Sequence, residues 1–304
     1  MLKLNIRNET DTLRSVVLGT ALNGGPVPTA GEAYDPKSLE HILAGTYPKE
    51  VDMIQEMDAF ATVLRKYGVQ VFRPKVLGGH NQIFTRDIAF VIGDRLIKAN
   101  ILPDREAEFE AIKYVLDRID EGQIIYPPKD VHIEGGDVMP WNEYIFIGTY
   151  SGPDYSDYIT ARTNRAAVDF IAGKFPDKIV RSFELRKSNT DPRKNALHLD
   201  CCFQPIGKDM AILHKNSFLR EEEYQWLFDH FGSDKVFGIT EEEMYHMTSN
   251  IFSISPTVVV SEQNFGRLNN WLRDRGFTVE EIPYAEIAKQ EGLLRCSTLP
   301  LVRS

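Results

Sequence analysis

Residues 197–214, LHLDCCFQPIGKDMAILH, open on a polar motif and run into two β-prone stretches that turn near Gly207. Turn residues between such runs are the signature of a β-hairpin. The same shape occurs three more times. FTRD (84–87) leads into IAFVIGDRLIKA, which turns at Gly93-Asp94. EGGD (134–137) leads into VMPWNEYIFIG, which turns at Asn142-Glu143. TSN (248–250) leads into IFSISPTVVVS, which turns near Pro256. The motifs end at Asp87, Asp137, Asp200 and Asn250, and Cys296 follows, so the repeat is roughly 50 residues with one longer interval.

Helical patterns fill the gaps. PDREAEFEAIKYVLDR (103–118) places Phe109, Ile112, Val115 and Leu116 on one helix face. REEEYQWLFDHFG (220–232) and NFGRLNNWLRDRG (264–276) read the same way, each ending in a glycine stop. Each unit is therefore a hairpin plus a helix. The early run LRSVVLGT (13–20) and the late run RCSTLPLV (295–302) complete a fifth unit if they pair, which closes a ring and removes exposed strand edges. In a ring every motif sits at the same end of its unit, and all of them face one centre. On pattern alone, an ordinary α/β sheet with unrelated loops stays open.

The 304 residues are 42% hydrophobic and 26% charged, with a net charge of −9, the composition of a globular protein with a sizeable core. There is no Lys/Arg-rich run, which argues against nucleic acid. An acidic average suits a small cationic substrate. No apolar stretch approaches the ~20 residues that span a membrane, and charges interrupt the first residues where a signal peptide needs an apolar region. The expectation is a cytoplasmic protein without membrane contact. Three cysteines, two of them adjacent, make neither a disulfide framework nor zinc-ligand spacing. That leaves Cys296 as a buried structural thiol or a nucleophile.

A converged centre would hold Asp87, Glu134 or Asp137, His198, Asp200 and Cys296. A thiol attacks as thiolate, which a neighbouring imidazole or cation favours. A histidine backed by a carboxylate is an acid/base held in one orientation. Further carboxylates beside a thiolate repel it unless a positive charge lies between them. A planar guanidinium meets that need, because it pairs with carboxylates through two hydrogen bonds. Taken singly, each residue has an ordinary structural reading: a buried cysteine is usually inert, and EGGD can be a glycine turn.

The sequence resembles the guanidino-group-modifying enzymes: arginine deiminases, dimethylarginine dimethylaminohydrolases, arginine dihydrolases and amidinotransferases. The resemblance rests on NQIFTRD (81–87), IEGGDV (133–138), ARTN (161–164), LHLDCCF (197–203), SNIFSISPTVVVSEQN (249–264) and RCSTLPLVR (295–303), in the family's order. It implies a five-bladed pseudosymmetric α/β propeller of ββαβ units, with residues 1–304 forming a single catalytic domain. It implies Cys296 as nucleophile, His198 as general acid/base and Glu134 as the carboxylate that orients it. Asp87 and Asp200 resemble the pair that grips the guanidinium, and Phe84 the apolar wall beside it. Asn81 and Arg162 resemble residues that hold a substrate α-carboxylate, although GTYSGPDYSDYITARTN (148–164) is longer than the family's usual link there. Asp137 keeps a structural role. The implied chemistry needs no metal and no organic cofactor. The expected activity is hydrolysis of L-arginine or a close derivative. The runner-up is an amidinotransferase, and a non-catalytic guanidine-binding protein is the alternative of another class. Family members are often dimers or larger, so a homo-oligomer is compatible with the resemblance.

Overall fold

The computed structural model describes residues 1–304. Its strands form five sheets of three strands each, and every sheet is an antiparallel hairpin with a third strand added in parallel. The hairpins of four units are Ala89–Ile92 with Arg95–Lys98, Val138–Trp141 with Tyr144–Thr149, Phe203–Ile206 with Met210–Leu213, and Phe252–Ser255 with Val258–Glu262. The parallel strands are Ile124–Ile125, Ile179–Glu184, Val236–Gly238 and Thr278–Ile282 in the same order. The fifth unit is made by both chain ends. Thr298–Arg303 pairs antiparallel with Leu13–Leu18, in register from Leu13↔Arg303 to Leu18↔Thr298, and Gln70–Phe72 adds in parallel. The expected ring closure is present, and the fold is the five-bladed α/β propeller.

Alternate residues along a strand point to opposite faces, and here both faces are buried because each sheet lies between two neighbours. Ala89 and Val91 pack with Val17, Leu299 and Leu301 of the terminal unit. Phe90 and Ile92, from the same strand, pack with Val138, Ile145 and Ile147 of the next unit. Met139 and Trp141 then meet Phe203 and Leu213, and Ile206 and Ile212 join Phe252, Val259 and the terminal strand residues Val16 and Leu18. The core is thus divided among the spaces between blades, which explains runs such as AFVI with no polar alternation. Pro140, Pro205 and Pro300 lie within first strands. These strands have one partner each, and an edge strand tolerates the missing N–H.

Crossovers carry the helices. Arg165–Lys174, Glu221–Phe231 and Gly266–Asp274 serve three units, and Glu50–Lys66 the terminal one. The helix expected over 103–118 is a correction. Its apolar face is buried as read, but the segment is a 3-10 turn at Pro103–Arg105 and two single turns, Ala107–Glu110 and Lys113–Leu116. The break has a cause: the Ala111 carbonyl accepts from the Lys75 amide (2.8 Å) and the Val115 amide turns to Ile112 instead (2.8 Å).

The N-terminal arm runs across the hairpin-turn end of the ring. The Ile6 and Gly93 backbones exchange two hydrogen bonds (2.8 and 2.7 Å), and the Asn142 amide donates to Arg7 (3.1 Å). Thr10 Oγ1 donates to the Gly207 carbonyl (2.6 Å), and Arg303 donates to Asp11 and Ser253 carbonyls. From this arm Glu9 enters the axis and pairs with Arg295 (3.1 Å).

Candidate active site

At the other end of the ring, each motif forms a short turn just before the first strand of its unit. These turns are Thr85–Ile88, Gly135–Asp137 and Leu199–Cys201, with Asn250 and Cys296 at the matching points of the remaining two units. They converge beside a cavity of about 810 Å³ whose walls include Asp87, His198 and Cys296. The motifs also hold one another. The Arg86 amide donates to the Cys296 carbonyl (3.0 Å), and Thr85 Oγ1 donates to the Ser297 carbonyl (2.9 Å).

EGGD is required by close approach. A Cβ on Gly136 would stand 2.6 Å from the His198 ring, so only glycine leaves the imidazole its seat. Asp137 Oδ1 accepts from the Leu199 amide (2.8 Å) and fixes the His198 turn, the structural role expected of it. Gly292 does the same for Phe84, whose ring would lie 2.3 Å from a Cβ there. Phe84 is on the cavity wall.

His198 Nε2 meets Glu134 Oε2 at 2.7 Å, and Asp87 Oδ1 is 3.8 Å from Nδ1. Glu134 also pairs with Arg162 (3.1 Å), and both are 1% exposed at their side chains. Burial alone would raise the Glu134 carboxyl, but Arg162 and His198 overcome it and hold it at about 2. Burial likewise opposes a charged His198, yet Asp87 and the bond to Glu134 leave it above its ordinary value. Asp87 is pushed up by burial, against the pull of His198 and Arg105.

Cys296 is the instructive group. Burial, then Asp200 and Asp87, push its thiol well above the ordinary value. Its Sγ lies 3.5 Å from Asp200 Oδ2 and accepts from Asn250 Nδ2 (3.2 Å), while the Asn250 side-chain oxygen accepts from the Cys296 amide (3.1 Å). Two carboxylates dominate the field at this thiol, the repulsion that the sequence reading attached to acids beside a thiolate.

Asp200 pairs with Arg295 (2.8 Å) and stands behind Cys296 rather than on the cavity wall. Asp87 pairs with Arg105 through Oδ2 (2.8 Å), and its buried Oδ1 has no hydrogen-bond partner. Arg162 and Asn81 line the cavity, and each also hydrogen-bonds within the protein. Arg162 donates to Glu134, Ile159 and Tyr34, and Asn81 donates to Gln290 (2.6 Å). Asp87, Glu134 and His198 offer ligand atoms within 4.8 Å of one another, close enough for a metal ion. Arg105 already pairs with Asp87 and Arg162 with Glu134.

Residues 48–303 match the family described as N,N dimethylarginine dimethylhydrolase, eukaryotic. The chain belongs to this family. It is therefore one of the guanidino-modifying enzymes, an amidine hydrolase type to which the amidinotransferases are related. Among relatives of this dimethylarginine dimethylhydrolase family member, the uncharacterized protein YkgA of Bacillus subtilis (strain 168) is 28% identical over 243 residues, 79% of this chain and 77% of its own. An arginine deiminase of Bacillus cereus (strain ATCC 10987 / NRS 248) is 26% identical over 263 residues, 73% of this chain. The match spans only 62% of that deiminase's length. Two solved structures share the fold. The N-terminal domain of ArgZ, an arginine dihydrolase from the ornithine–ammonia cycle in cyanobacteria, aligns with a TM-score of 0.77 at 17% identity, over 96% of this chain and 98% of its own. SxtG, an amidinotransferase from Microseira wollei, aligns with a TM-score of 0.76 at 17% identity, over 99% and 97%. No helix of the family member is long and apolar enough to cross a membrane.

Sequence reasoning missed Arg105, Glu9 and the part played by Arg295 and Asn250. Asn250 carried a signal, since it ends the fourth motif at the position equivalent to the acids. Arg105 carried none, because it falls within a segment read as an amphipathic helix.

Proposed function

We propose that residues 1–304 act as one catalytic domain that hydrolyses a guanidino compound, L-arginine or a close derivative, through a covalent adduct on Cys296. The observation that carries this is the meeting of Cys296, His198 and the unpartnered Asp87 Oδ1 at one cavity.

The substrate guanidinium binds against Asp87 and brings the positive charge that Cys296 lacks. The thiol proton then leaves to solvent, and the thiolate attacks the central guanidinium carbon. A C–S bond forms. His198, held as imidazolium by Asp87 and Glu134, protonates the departing nitrogen as the C–N bond breaks. The product of this half is a thiouronium-type cation on Cys296, still facing Asp87. Neutral His198 next takes a proton from water, and the resulting hydroxide adds to the carbon. The C–S bond breaks, restoring the thiolate, and the added hydroxyl gives its proton to solvent as the ureido product leaves. Asn250 supplies a hydrogen bond to sulfur throughout.

Mass spectrometry of the products from L-arginine, with and without glycine or lysine as acceptor, tests the proposal. Citrulline means one hydrolysis, and ornithine with ammonia means two. A new guanidino compound formed only with an added amine overturns the hydrolase in favour of an amidinotransferase. No turnover of any guanidine, and no mass adduct on Cys296, overturns both and leaves a guanidine-binding protein.

A further inference from the structure

Arg162 stands on the cavity wall with Tyr34, Ile159 and His198, whereas its ion-pair partner Glu134 does not line the cavity. Arg162 is 2% exposed, and its guanidinium makes three kinds of connection. Nη1 donates to both Glu134 oxygens (3.2 and 3.1 Å). Nε donates to the Ile159 carbonyl (2.6 Å), and Nη2 to the Tyr34 carbonyl (2.7 Å).

The carboxylate it meets is the one that faces the imidazole. Glu134 Oε2 is shared between His198 Nε2 (2.7 Å) and Arg162, and Oε1 has no hydrogen-bond partner but Arg162. A carboxylate held at both oxygens cannot turn about its last bond without giving up a charge-assisted hydrogen bond. Arg162 therefore aims the group that aims His198. The next two residues grip the same strand: Thr163 Oγ1 accepts from the Glu134 amide (3.3 Å), and the Asn164 amide donates to the His132 carbonyl (3.1 Å).

In the sequence, Arg162 resembles a residue that holds a substrate α-carboxylate. In the structure, an anion approaching this guanidinium would share it with Glu134, whose oxygen lies 3.1 Å away. Like charges so placed repel more strongly in a buried site than in water.

We propose that Arg162 is a positioning residue for the general acid: it fixes the Glu134 carboxylate against His198 and ties that pair to the wall segments at Tyr34 and Ile159, rather than holding a carboxylate of the substrate. The inference rests on the hydrolase reading above and adds a residue to its machinery.

The test compares Arg162→Met with Arg162→Lys, which keeps the charge but not the planar fork. On the guanidine that the product screen finds turned over, Arg162→Met should lower kcat by on the order of 10²-fold with KM little changed, and Arg162→Lys should recover part of that loss. A rise in KM with kcat kept would mean that Arg162 holds the substrate, and it overturns the proposal. A second readout needs no turnover. The His198 ring N–H, hydrogen-bonded to Glu134, should give a far-downfield proton resonance, assigned by its absence in His198→Asn. Arg162→Met should shift or abolish it, and Arg162→Lys should keep it. An unmoved resonance in Arg162→Met overturns the positioning role even where kcat falls. If no guanidine is turned over, the hydrolase reading fails by itself, and the resonance still decides the role of Arg162. If Arg162→Met does not fold, Arg162→Lys carries the test: a lower kcat at unchanged KM supports positioning, and a higher KM at unchanged kcat overturns it.

Discussion

The two ends of the ring are built from the same five units and solve opposite problems. At the hairpin-turn end, residues 5–11 lie across the blades and their polar groups find partners from unit to unit, as with Ile6 and Gly93, Arg7 and Asn142, and Thr10 and Gly207. At the motif end, buried carboxylate oxygens on Asp87 and Glu291 are left without partners. A buried polar atom without a hydrogen bond costs stability. The contrast is between an end closed by hydrogen bonds from the arm to successive units and an end that opens onto a cavity. Between them runs an axis of buried charge, Glu9 to Arg295 to Asp200, that ends beside Cys296.

The largest expected effect removes the reacting atom. Cys296→Ser should lower kcat by on the order of 10⁴-fold or more, with an unchanged circular dichroism melt; near-normal turnover would remove the nucleophile from the scheme. Next is the axis that joins the two ends. Arg295→Met leaves Glu9 and Asp200 as uncompensated buried charges, so denaturant titration should show a loss of about 3–5 kcal/mol. A loss under about 1 kcal/mol would mean that the axis does not couple the arm to the site.

Glu134→Gln tests the motif end through pH. His198 must be protonated to act as the acid, so kcat should fall as pH rises through its raised value. Without the Glu134 carboxylate part of that rise is lost, and the alkaline limb should move to lower pH, with kcat down about 10²- to 10³-fold. The linkage has the same sign. A folded-state value above the unfolded value of about 6.5 stabilises fully below that pH and is lost as pH rises through the folded value. An unmoved limb would detach Glu134 from His198. The smallest effect belongs to the sealed end. Thr10→Val keeps the shape but removes the donor to the Gly207 carbonyl, which should cost about 1 kcal/mol in denaturant titration without changing kcat.

Much of the fold was legible because its signals are local. Gly93, Asn142 and Gly207 adopt the positive φ of tight hairpin turns, and the two-sided burial of each blade leaves continuous apolar runs. The site was legible in part. His198, Glu134, Asp87 and Cys296 stand where the repeating motifs pointed. The pairings of Arg162 with Glu134 and of Arg105 with Asp87 were not readable, because an arginine's partner depends on which loop passes over it. The broken helix at 103–118 was invisible for a similar reason, since its periodicity is real and the interruption comes from Lys75.

The sequence by itself determined the repeat, the hairpins and the end of each unit that bears polar motifs. These follow from spacing and side-chain type within a few residues. Only the tertiary structure decided which charges neutralise one another. Glu9 meets Arg295 across 286 positions of chain, and Cys296 meets Asp200 across 96. In a buried site the field at a sulfur atom is set by such neighbours, and by the water they exclude, not by the residues beside it in the chain.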